Sequence, residues 1–125
     1  MIRLHATEEE EQKALIEWAH LHELKYPDLK WLFAIPNGGL RHPVIAKKLK
    51  AEGVKRGVPD LCLPVPRAPY SGLFLELKAS GGRLSPAQIL WLTALNLLGY
   101  YATVCEGWDA ARKVIEQYLT QRLGR

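Results

Sequence analysis

The chain has none of the features that would place it in a membrane or outside the cell. No apolar run approaches the roughly 20 residues of a spanning helix, so no transmembrane segment is expected. The opening stretch, MIRLHATEEEEQ, has no apolar core of signal-peptide length. Only two cysteines occur, Cys62 and Cys105, each inside an apolar, strand-like run. Reduced, buried thiols of a cytoplasmic protein are expected, rather than a disulfide or a metal pair. Repeats and low-complexity stretches are absent, which excludes a repeat architecture. With 125 residues there is room for one domain, 1–125, and not for two. A hydrophobic fraction of 48% and four tryptophans supply a core. The 17 basic against 13 acidic side chains leave a net charge of +4, which favours an acidic partner such as nucleic acid.

The most informative stretch is GVPDLCLPVPRAPYSGLFLELK, from Gly57 to Lys78. It reads as two short strands joined by a proline-rich loop. Residues two apart in a strand share a face. Phe74, Glu76 and Lys78 therefore lie on one face, and Leu73, Leu75 and Leu77 on the other. An antiparallel hairpin that pairs Asp60 with Glu76 sets Cys62 opposite Phe74 and Pro64 opposite Gly72. It leaves residues 65–71 as the loop, where Pro66 and Pro69 need donate to no ladder. Opposed Cβ atoms stand about 4.5–5.5 Å apart, which places both carboxylates around one ion. Two carboxylates and an ammonium in apolar strands are costly to bury without a partner. A divalent cation is one such partner. A salt-bridged pair of Glu76 and Lys78 on an edge strand is the plainer alternative.

The rest of the chain reads as scaffold and grip. Thr7 caps a helix over 8–25, with Glu10 completing a capping box and Glu8 to Glu11 in the dipole-favoured first turn. Leu15, Trp18, Leu21 and His22 follow at helical spacing. Glu11 stands four residues before Leu15 and seven before Trp18, on the buried side, with Glu8 three residues earlier. One of these two is expected to face the site, Glu11 ahead of Glu8.

Trp31 to Ile35 reads as a strand that empties into the turn Pro36-Asn37-Gly38-Gly39. The turn is either plain or brings its amides and Asn37 near a phosphate. His42-Pro43 opens a second helix to about Glu52. From Arg41 to Arg56, six basic residues (Arg41, Lys47, Lys48, Lys50, Lys55, Arg56) face one acid, Glu52. They form either a solvated face or a phosphate grip of salt-dependent, sequence-blind affinity. Ser85 and Pro86 open a third helix, with Gln88 in the capping-box position and Ile89, Leu92, Leu95 and Leu97 as its apolar side. Tyr100 to Cys105 reads as a strand, and Gly107-Trp108-Asp109 leads into a last helix to about Leu123. The order α-β-α-β-β-α-β-α predicts an α/β fold, a mixed central sheet flanked by helices.

Gly57-Val58-Pro59-Asp60, then Glu76-Leu77-Lys78, then Ser85-Pro86-Ala87-Gln88 resembles the PD-(D/E)xK nuclease superfamily with its restriction-endonuclease-like core. Within it the chain is most similar to the virus-type replication-repair nuclease domain, VRR-NUC. Glu11-Gln12 with Trp18, the Ile35 to Gly39 turn and the segment Gly53 to Pro66 carry the same resemblance. It implies a metal-dependent DNA endonuclease. Asp60, Glu76 and Glu11 (or Glu8) would hold Mg2+ or Mn2+, Lys78 would assist the attacking water, and Gln88 would position a ligand or water. Stand-alone members are similar to Holliday-junction resolvases, homodimers acting on branched DNA in phage and bacteria. Larger relatives cut flaps with extra DNA-binding domains that have no counterpart here. The apolar faces of the later helices, with Trp91 or Trp108 as anchors, are the expected dimer surfaces. A non-catalytic nucleic-acid-binding module, or the same core acting on other DNA, are the competing readings. No zinc finger or recognition helix is visible in the sequence, so sequence-specific cutting is not expected.

Overall fold

The computed structural model describes residues 5–36 and 42–121. Helix α1 (Glu8–Leu21) begins at the expected cap. The Thr7 hydroxyl accepts from the Glu10 amide at 3.1 Å, and the Glu10 carboxylate accepts from the Thr7 amide at 2.9 Å. The helix ends four residues before the expected 25. The His22 ring sits 2.8 Å from the Trp18 carbonyl, which satisfies one of the terminal acceptors. Pro27 then holds Tyr26 out of the helical region, at φ −126°.

The expected strand over Trp31 to Ile35 is also shorter. Pro27 suits a helical first position, and Pro27–Trp31 forms a 3-10 helix that buries Leu29. Only Phe33–Ala34 remains as strand β1. Helix α2 (Pro43–Ala51) is capped by the His42 ring, which accepts from the Val44 amide at 3.2 Å. Strands β2 (Leu61–Leu63) and β3 (Leu73–Lys78), helix α3 (Pro86–Leu97), strand β4 (Tyr101–Glu106) and helix α4 (Trp108–Leu119) complete the order.

The sheet runs β1-β2-β3-β4. The first three strands are antiparallel, and β4 lies parallel to β3 across the α3 connection. This is the mixed α/β sheet the sequence predicts. Cys62 pairs with Phe74, the expected hairpin register. Continued one step past Leu61, that register carries Asp60 opposite Glu76.

Period two then sorts the side chains. On one face Leu61, Leu63, Leu73, Leu75 and Leu77 are at most 1% exposed. They pack against Leu15 and Trp18 of α1 and against Ala111, Ile115 and Tyr118 of α4. The Tyr118 hydroxyl donates to the Val65 carbonyl at 2.6 Å, closing this layer over the hairpin loop. The other face carries Cys62, Phe74, Glu76 and Lys78. Helix α3 covers part of it, pinned by Asn96, whose side chain exchanges hydrogen bonds with both backbone groups of Ala102. The expected apolar side of α3 is covered only in part: Leu95 is buried and Leu92 half-buried, while Ile89 is 51% and Leu97 84% exposed. A helix with apolar residues on most sides and no charged one carries little signal for which side faces the sheet.

Candidate active site

The site begins with a glycine. Gly57 holds φ +92°, and a Cβ there would lie 2.6 Å from the backbone C and O of Ala87. The chain entering β2 therefore passes directly beneath the first turn of α3. Pro59 is buried in this crossing, and Asp60 follows. One Asp60 oxygen accepts from the Leu77 amide at 2.7 Å, which clamps the carboxylate beside Glu76.

Glu76 is 1% exposed. One of its oxygens accepts from the Gln88 side-chain amide at 3.2 Å. The other, Oε1, is buried without a hydrogen-bond partner. Gln88 serves two purposes. Its oxygen accepts from the Ser85 amide at 2.8 Å as the helix cap, and this turns its amino group toward Glu76. Lys78 extends beside them, its side chain 11% exposed, with Nζ 4.0 Å from a Glu8 oxygen. Gly82 lies against the Lys78 stem, where a Cβ would approach to 3.3 Å.

Burial pushes the Glu76 carboxyl up to about 8. The adjacent Asp60 carboxylate and, less so, Glu8 contribute to that rise, while Lys78 pulls against it.

The structure separates the two helix carboxylates. Glu11 accepts from the Trp108 amide at 3.1 Å, and its carboxylate lies against Gly107. Helix α4 has no side-chain cap of its own at Gly107, so the free amides at its start draw Glu11 in. Glu8, one turn earlier, is the carboxylate beside Lys78. The helical spacing that puts Glu11 ahead marks the right face but not this competing amide. The signal was available: a Gly-Trp helix start with no Ser, Thr, Asp or Asn at its cap.

Among the described residues, no three His, Cys, Asp or Glu side chains converge tightly enough to enclose a metal ion by themselves. Asp60 and Glu76 are the donor pair, and the unpartnered Glu76 oxygen is the observation that fits a cation. Small hard dications are commonly held by one or two carboxylates and otherwise by water and phosphate oxygens. Lys47, Lys48, Lys50, Lys55 and Arg56 are all exposed, and α2 buries none of its residues. Asn37 and Arg41 lie outside the described residues.

The family model of the VRR-NUC domain matches residues 6–109. A solved structure described as a VRR_NUC domain protein is similar over 93% of this chain and 90% of its own, at 33% identity and a TM-score of 0.80. No curated protein matches the chain.

Proposed function

Because the chain belongs to the VRR-NUC family and has its nuclease-type fold, we propose that it is a structure-selective DNA endonuclease. It uses Mg2+ or Mn2+ to cut branched DNA such as four-way (Holliday) junctions, in recombination or repair. The observation that carries this reading is the buried, unpartnered Glu76 oxygen beside Asp60, with Lys78 alongside.

Asp60 and Glu76 hold the cation. When bound, it neutralises a phosphoryl oxygen and lowers the pKa of water. Lys78 donates from Nζ toward the attacking water or the charge that develops on the phosphorus oxygens. Glu8 holds Lys78 in place and is the helix carboxylate of the site, in preference to Glu11. Gln88 fixes the rotamer of Glu76. Lys47, Lys48, Lys50, Lys55 and Arg56, joined by Asn37 and Arg41, grip phosphates.

A four-way junction presents two equivalent strands, and a two-fold homodimer supplies two sites. Helix α3 suits that contact. It carries no charged side chain, and Ile89, Leu90, Leu97 and Leu98 are all at least half exposed. Trp108 is partly buried and packs against the core. The free, buried Cys62 and Cys105 suit the reducing cytoplasm of a bacterial or phage-infected cell.

The test is a cleavage panel of four-way junction, flap, splayed arm, duplex and single strand, each with Mg2+ and with Mn2+. Asp60→Asn, Glu76→Gln and Lys78→Ala should each abolish cutting while DNA binding survives. Full activity in any one removes the assigned site. Binding with no cleavage of any form would favour a non-catalytic module. Cutting of flaps alone would make it a flap nuclease. Sedimentation of a monomer on intact junction DNA would remove the homodimer.

A further inference from the structure

One aromatic ring, about half exposed, stands on the same face of the sheet as the candidate carboxylates. Phe33 pairs with Cys62, Cys62 with Phe74, and Phe74 with Ala102, so these four form one row across the sheet. The Ile35 amide donates to the Asp60 carbonyl at 2.7 Å, which extends the β1–β2 ladder one step further. Asp60 and Glu76 therefore occupy the neighbouring row on the same face. Asp60 is the diagonal neighbour of Phe33, about 7–8 Å away.

The two ends of the row differ. At the far end Phe74 packs edge-on against Tyr100, with centroids 5.2 Å apart, and Ala102 is buried. At the near end Cys62 is buried but Phe33 is 48% exposed. Its neighbours Leu32 and Ala34 alternate to the other face, where Leu32 packs on the core. A lone exposed apolar residue needs no explanation. A rigid ring one row from the carboxylates of a phosphodiesterase site is a more specific feature. What lies beside a scissile phosphate is its own nucleotide or the next. A base paired within a duplex already has both faces stacked. A base at a branch, gap or end offers a free face. Aromatic side chains are the common platform for such bases.

We propose that Phe33 stacks on an unpaired base of the strand being cut, next to the scissile phosphate. This rests on the nuclease reading and deepens it. The preferred substrate carries at least one unstacked nucleotide at the cut, and the β1 edge selects for it.

The test uses the full chain with Asp60→Asn, so that binding is read without cleavage. Affinity is measured by anisotropy for a paired duplex, for the same duplex with one unpaired nucleotide, and for that DNA with the unpaired nucleotide abasic. Stacking of one base is worth about 1–3 kcal/mol, or roughly 5–150-fold. Phe33→Leu, which keeps an apolar side chain but loses the ring, should weaken unpaired-base binding within that range. Duplex binding should change less than about twofold on the same scale. Removing the base should weaken the parent protein by a similar factor and Phe33→Leu no further, while Phe33→Tyr retains the affinity. Equal loss on duplex and unpaired DNA, additive losses from the leucine and the abasic site, loss in Phe33→Tyr, or no preference in the parent would each overturn the proposal. A parent that shows the preference but, with Asp60 restored, cuts nothing would sink the nuclease reading and leave the stacking result standing.

Discussion

Replacing Glu76 by Gln should stabilise the metal-free protein while it destroys the proposed activity. The native carboxyl titrates at about 8 against its ordinary 4.5, chiefly because it is buried. Between those values the fold holds a proton that the unfolded chain has lost. The stability this proton gives is fully present below about 4.5 and is lost as pH rises through about 8. Each decade of proton affinity is about 1.36 kcal/mol, which sets an upper bound near 3 kcal/mol at pH 7 on the same linkage. Water entering past the half-buried Asp60 screens part of that, so we expect a gain of roughly 1–3 kcal/mol for Glu76→Gln at pH 8.

For a chain of 125 residues this is a rise in Tm of about 4–11 °C. The assay is thermal melting in EDTA from pH 5 to 9. Wild type should lose stability across that range, and Glu76→Gln should converge with it at pH 5. Mg2+ added at pH 8 should raise the wild-type Tm by mass action and leave the variant unmoved. A variant that melts at or below wild type at pH 8, with no slope in wild type, would refute the account of a desolvated carboxylate awaiting a cation.

Other perturbations separate site from scaffold. Glu11→Ala should cost about 1 kcal/mol through the lost cap at Trp108 and leave cleavage near wild type. Glu8→Gln should leave the melting curve in place and cut activity at least tenfold, roughly what one positioned group supplies. Gly57→Ala should destabilise by about 2–4 kcal/mol, since both its positive φ and the Ala87 backbone oppose a side chain. It should also lower cleavage at temperatures where it stays folded, because α3 must move and takes Gln88 with it. Tyr118→Phe should cost about 1–2 kcal/mol by leaving the Val65 carbonyl unpaired, read by chemical denaturation, without effect on DNA binding.

The parts legible in the sequence were those where a local rule and a tertiary one agree. The hairpin register could be read because strand alternation and the prolines of the loop admit one pairing, and Cys62 does meet Phe74. The caps at Thr7 and Ser85 likewise follow from short-range chemistry alone. Reading ran short where distant groups decide. Glu8 and Glu11 share a helix face, and only the fold shows that Glu11 accepts from the Trp108 amide, 97 residues further along, while Glu8 lies beside Lys78. The run Trp31 to Ile35 is apolar enough for a strand. Burial of Leu29 and the proline at its helical start tip the segment before it into a 3-10 turn that takes Trp31. The facing of α3 was hard to read because it carries no charged residue to mark a solvent side.

Gln88 shows how such a site is assembled from ordinary structural parts. Its sequence position is explained in full by the capping box, and the family resemblance adds a role in the site; the structure shows that one side chain can do both. Capping uses only the side-chain oxygen, and the bond to the Ser85 amide fixes the amide plane. The amino group is left with one direction, toward Glu76. A helix start thereby becomes an orienting device for a buried carboxylate, at no extra conformational cost, since the rotamer is already frozen by the cap. Glu8 follows the same logic in the first turn of α1. A residue with a complete local explanation remains a site candidate whenever that explanation leaves one polar atom free and aims it.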